Sequence, residues 1–225
     1  MLNKKMVASS LLLGMMSLGV VTQVSAAEGD NQTIEGMKGD TTADVITRGN
    51  LGEIDPTDPN TPLPEGDERW LKVTLPTAVV FESQDQETIT SPNNYEIKNE
   101  SGRPVKVDIA SYDITGGNGV PALTQLNIKR SAGYEGNETV NLVASKAAVQ
   151  KYDINQEFVR LANNEGNFGE IKDGSADSAT NFEFTGTMDK AALAETQNYV
   201  ESKLTFKFSA LRMDGQTVEE GQATK

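Results

Sequence analysis

The chain of 225 residues contains no cysteine and no histidine. Without histidine, neither a Ser-His-Asp nor a Cys-His nucleophile system can be built. Histidine- or cysteine-based zinc, copper and haem sites go with them. Without cysteine, a chain outside the cytoplasm must rest on an ordinary apolar core, and this one is long enough to bury one. Walker loops are missing too, and Gly116–Gly119 (GGNG) follows no strand-to-helix pattern, so it reads as a turn. Paired carboxylates remain formally available for glycoside hydrolysis, yet no spacing among the 33 acidic residues singles out a pair. The residues therefore nominate no catalytic and no cofactor-binding side chain, and the chain reads as a non-enzyme.

Basic residues are also scarce, 20 against 33 acidic ones, for a net charge of −13. Such a surface repels nucleic acid and anionic lipid and keeps a protein soluble. It suits hard cations as well, which take oxygen ligands. Asn163–Glu170 (NNEGNFGE) and Lys172–Asn181 (KDGSADSATN) concentrate such oxygens, although neither matches the twelve-residue EF-hand loop. Asx-turns account for them equally well, so a metal site stays undecided.

Long apolar runs occur once. Lys4 and Lys5 precede a stretch from Met6 to Val21 that is apolar apart from serine and glycine, and Val24-Ser25-Ala26 follows with small residues. That is the pattern of a secretory signal peptide over residues 1–26, too short and wrongly flanked for a membrane anchor. Cleavage after Ala26 leaves a chain expected outside the cytoplasmic membrane. A leader with no cysteine behind it favours a bacterial exported protein, in which the sequons at Asn31, Asn99 and Asn137 are chance matches.

Four of the eight prolines fall between Pro56 and Pro64. With Asp55, Asp58, Glu65, Asp67 and Glu68 they make residues 55–69 an acidic, extended linker. Upstream, residues 27–54 are polar, with a candidate strand at 43–48 whose β-branched Val45, Ile46 and Thr47 favour pairing. Such a strand is expected to join the sheet that holds Leu204–Ala210, the linker crossing outside it. Alternatively it enters a neighbouring molecule's sheet.

From Trp70 onward, residues 70–225 alternate with period two. Leu71, Val73 and Leu75 form one apolar row; Val105, Val107 and Ile109 another; Phe182 and Phe184 a third; Leu204, Phe206, Phe208 and Ala210 a fourth. Weaker strand patterns cover Ala78–Glu82, Tyr95–Asn99, Leu123–Arg130 and Thr139–Ala144. Turn signals such as SPNN, ESGRP, TGGNG and KDGSAD separate them. Ser145–Tyr152 and Asp189–Gln197 read as short helices, the second opened by an aspartate and rich in helix formers. The fold expected is all-β: a β-sandwich of about eight to ten short strands with one or two short helical connections. A closed barrel is the alternative. Trp70, the sole tryptophan, is expected to anchor the core or its edge.

The order of leader, polar strand, DPTDPNTPLP, alternating strand and YEIKNESGRPVKVDI (Tyr95–Ile109) resembles small WxL-type cell-surface proteins of Gram-positive bacteria and their relatives. The Trp-x-Leu motif itself is absent: Trp70 is followed by Leu71-Lys72, and the last strong strand holds no tryptophan. The resemblance implies an envelope protein without an active site. Its partners would be a cell-wall polymer or another surface protein, its roles adhesion or assembly, with no nucleic acid and no membrane after leader cleavage. Self-assembly as a fibre subunit and a secreted carboxylate-dependent glycoside hydrolase are the competing expectations.

Overall fold

The computed structural model describes residues 52–134, 136–194 and 197–223. The expected leader at residues 1–26 and the candidate strand at 43–48 lie outside the described residues. Among the described residues, nine strands build two antiparallel sheets that face each other as an all-β sandwich. In chain order they are β1 (Val73–Thr74), β2 (Thr88–Ile89), β3 (Tyr95–Asn99), β4 (Val105–Gly116), β5 (Leu123–Arg130), β6 (Thr139–Val143), β7 (Lys151–Leu161), β8 (Ala179–Met188) and β9 (Glu201–Ala210). One sheet runs β1-β3-β8-β5-β6, with β2 beside β3 on the same edge of β8; the other runs β7-β4-β9.

Strand β4 is the spine of the smaller sheet, and its irregularity shapes the core. Val105, Val107 and Ile109 point inward, as alternation demands. Between Ile109 and Ser111 the register slips on both flanks, so Tyr112 and Ile114 carry the inward row onward. An extra residue in one strand bends it and changes which parity faces the core. From the other sheet, Ile97, Leu126, Ile128, Phe182 and Phe184 meet this row. Rings pack tilted or edge-on, with Phe182 6.0 Å from Phe206 and 6.2 Å from Phe184. Such geometries suit the ring quadrupoles.

Arg130 is buried without a carboxylate. Its guanidinium donates instead to the carbonyls of Phe158, Ser131, Tyr134 and Gly136, each at 2.9 Å, and lies over the Tyr134 ring. It thereby ties the turn after β5 to β7 across the sandwich.

Of the two expected helices, Ser145–Tyr152 does not form and Asp189–Gln197 is cut to a single turn, for different reasons. Residues 145–150 form bends and irregular backbone, and Lys151 and Tyr152 open β7; Ala147 donates to the Leu123 carbonyl, which fixes the segment against β5. Asp189 does cap a helical start, accepting from the Ala191 amide, but the helix is a single 3-10 turn over Lys190–Ala192. Its carbonyl-side continuation is replaced by a strap fixed to the β4–β5 connection. The one α-helix among the described residues, α1 (Val218–Ala223), gave no sequence signal. Ala78–Glu82 contributes only an isolated bridge from Glu82 to Thr90.

Residues 55–69 are not a free linker. Proline has no N–H to satisfy, so a proline-rich run offers carbonyls to donors on neighbouring loops. The Pro56 carbonyl accepts from the Gly102 amide at 2.7 Å, that of Pro59 from Arg103 at 2.9 Å, and that of Thr57 from Asn164 at 2.8 Å. Gly102 has no side chain because a Cβ there would sit 2.7 Å from the Pro59 nitrogen. Glu65 ion-pairs with Arg103 and accepts from the Met213 amide. The run ends on Trp70, buried with Leu63 and Ala210, its indole N–H donating to the Pro64 carbonyl at 2.8 Å and Arg103 stacked 4.3 Å from the ring. The acidic run is thus docked at the end of the domain where β9 finishes.

Asn99 reinforces that end from inside. It is fully buried, and its amide donates to the carbonyls of Arg103 and Ala162. A glycan on this nitrogen would have no room.

Candidate functional site

At the opposite end of the sandwich, where β9 begins, lies a cleft of about 400 Å³. Its floor is core surface: Ile89, Leu123 and Met188, the ends of β2, β5 and β8. One wall is the loop from Phe81 to Gln86, closed by the Glu82–Thr90 bridge. Asp85 holds that loop by accepting from the amides of Thr88 and Glu87 and from the Ser83 hydroxyl. Those amide bonds favour the charged form and bring its carboxyl down to about 2. Gln86 beside it adopts φ 62°, a left-handed turn residue.

The other wall is a strap leading into β9. Asn198 folds it by exchanging hydrogen bonds with the Ala194 backbone. Asn118 then clamps it, donating to the Gln197 carbonyl and accepting from the Tyr199 amide, while the Gly119 amide donates to the Tyr199 carbonyl. Gly117 has φ 108°, and a Cβ on it would run into that same carbonyl. The glycine-rich turn legible as TGGNG is therefore the mount for the strap. Tyr199 stands at the mouth with 54% of its surface exposed.

The chemistry of this cleft is neutral. Amides, hydroxyls and backbone form the rim over an apolar floor, and Glu82 is the one charged side chain among the described lining residues. General acid–base hydrolysis of a glycoside takes two facing carboxylates, and this cleft offers one.

A second groove, about 500 Å³, lies at the other end, lined by Arg160, Glu170, Asp214 and Glu220 among others. Two of its three acids are engaged as structural partners. Glu220 pairs with Arg160 at 2.8 Å and accepts from the Thr217 amide, and these bonds hold its carboxyl near 2. Arg160 is bound to Glu157 as well, and both partners raise its pKa. Asp214 pairs with Arg212 at 2.9 Å. A general acid needs the opposite shift, toward neutral pH.

The loops considered for calcium are turns built on asparagine and aspartate. Buried Asn163 accepts from the amides of Glu165 and Asn167, and Asp173 accepts from the amide and hydroxyl of Ser175. Among the described residues no group of three or more aspartates or glutamates is placed to hold a metal ion. No helix among them is long and apolar enough to cross a membrane.

Compared with known protein families, curated proteins and solved structures, the chain matches none.

Proposed function

We propose that this is an exported bacterial protein of the cell envelope that acts in adhesion or assembly without catalysing a reaction. Its partner is a cell-wall polymer or another surface protein. The leader pattern supports export, and the resemblance to WxL-type surface proteins supports the Gram-positive wall. The observation that carries the binding role is the neutral cleft beside Tyr199: an apolar floor, an amide and hydroxyl rim, and a single carboxylate. Polar groups placed around an apolar pocket fix the orientation of a bound molecule, and a half-exposed tyrosine offers a face to stack against. Sedimentation of the protein with purified Gram-positive cell walls tests the reading. Tyr199→Ala is expected to abolish co-sedimentation while leaving the melting temperature in place. Hydrolysis of wall glycans that disappears with Glu82→Gln would overturn it in favour of a hydrolase.

A second reading, a subunit that assembles through strand addition, is favoured by one feature. The outer edge of β9 pairs with nothing among the described residues. Unpaired backbone N–H and C=O groups are a template for another strand.

A further inference from the structure

We infer that the outer edge of β9 is an interface for a second copy of this chain, joined antiparallel across a two-fold axis at Leu204. The inference rests on the assembly reading.

The edges of the two sheets are not alike. β1 and β2 have two residues each and β6 has five, lengths that give little to a partner. β7 is longer but interrupted, with Asn155 at φ 50° and register slips against β4. β9 runs ten residues without a break, because both slips along its ladder place the extra residue on β4. It contains no proline and no inward-pointing charge. Its two lysines, Lys203 and Lys207, point to the solvent face opposite Asp113 and Asp108 of β4, which offsets their charge.

The inward row of β9 is also unfinished. Leu204, Phe206 and Phe208 belong to the core, yet all three are only partly buried. A neighbouring strand at this edge would cover them. The sequence of β9, ESKLTFKFSA, matches itself when reversed about Leu204. Glu201 then lies opposite Lys207 of the second copy, and the symmetry gives that pair twice. Lys203 falls opposite Thr205, and Phe208 opposite Val200. Opposed residues of antiparallel strands share a face, so the apolar rows of both copies join. Moving the axis to Thr205 would place Lys203 opposite Lys207, which like-charge repulsion disfavours. Such an interface uses the same patch on both copies and therefore closes at two.

The test uses sedimentation equilibrium of the chain from Ala27, over a dilution series. A reversible monomer–dimer equilibrium is expected. Lys207→Glu, which sets like charges opposite Glu201, is expected to weaken dimerisation about five- to tenfold. Glu201→Lys combined with Lys207→Glu restores it. Because the chain has no cysteine, Leu204→Cys gives a clean cross-link: oxidation joins two copies, whereas Ser209→Cys leaves them separate. A monomer at every concentration overturns both this inference and the assembly reading. An open-ended ladder of oligomers overturns the two-fold interface and leaves strand addition standing. A dimer indifferent to Lys207→Glu and to Leu204→Cys oxidation places the contact elsewhere, which also overturns it.

Discussion

Replacing Trp70 with alanine tests whether the proline run is part of the fold. The side chain is completely buried, packed with Leu63 and Ala210, under Arg103 and bonded to the Pro64 carbonyl. Removing a buried tryptophan costs about 3–5 kcal/mol in transfer and cavity terms. The orphaned Pro64 carbonyl adds about 1 kcal/mol or more where water cannot reach it. These overlap, so a loss near 4 kcal/mol is expected, a large fraction of the roughly 5–15 kcal/mol that holds a domain. Trp70→Phe keeps most of the burial and loses the hydrogen bond, so about 1–2 kcal/mol is expected. Urea unfolding followed by far-ultraviolet circular dichroism measures both, since the substitution removes the only tryptophan. In the unsubstituted protein the same residue reports directly, with blue-shifted emission that moves red on unfolding. If Trp70→Ala unfolds within about 0.5 kcal/mol of the parent, well below that core-cavity cost, the run is a detached tether and the docking described above is wrong.

Other outcomes follow from the same contacts. Arg130→Ala leaves the buried Phe158 carbonyl and three part-buried carbonyls of the turn after β5 without that donor and should cost about 1–3 kcal/mol, read by thermal or urea unfolding. Arg130→Lys recovers little of that loss, because an ammonium cannot span the same four acceptors. Gly117→Ala forces a Cβ onto the Tyr199 carbonyl at a positive φ, so the strap should shift and amide exchange at Tyr199 should rise. Glu220 has its folded pKa lowered to about 2 by Arg160 and the Thr217 amide. Its contribution is therefore present above the ordinary glutamate value of about 4.3 and is lost as pH falls from there toward 2. Carbon-detected NMR of the Glu220 carboxyl should show that low midpoint, and Arg160→Met should raise it toward the ordinary range, with the Thr217 amide still holding it below.

Much of this fold was legible because alternation is a local property. Tyr95–Asn99 and Leu123–Arg130 read as strands with the bounds they have in the structure. Half-buried antiparallel strands print their solvent face and core face directly into the residue order. The reading failed where the sheet departs from ideal pairing. In β7, Tyr152 and Ile154 start an alternation that Asn155 interrupts at φ 50°, after which Phe158 and Val159 are both buried beside a bulge. No period of two survives such a strand, and its first residues passed for the end of a helix. Asp189 gave a true capping signal, but the cap closes one 3-10 turn because Asn118 and Gly119 bind the strap that follows.

The sites divide along the same line. The absence of histidine and cysteine excludes whole reaction classes in any fold, so that part needed no coordinates. Alternating apolar rows likewise decided the all-β class, because a buried face must recur every second residue. Neither could show that the proline run docks on Gly102 and Arg103 and ends on a buried Trp70, since acidity and stiffness describe a free spacer equally well. That docking depends on Gly102, Arg103, Asn164 and Met213, brought from three distant loops. The cleft depends on Phe81, Leu123 and Tyr199 meeting at one end. Which strand is left at an edge is a property of sheet order, and sheet order is set by long-range pairing that no local pattern records.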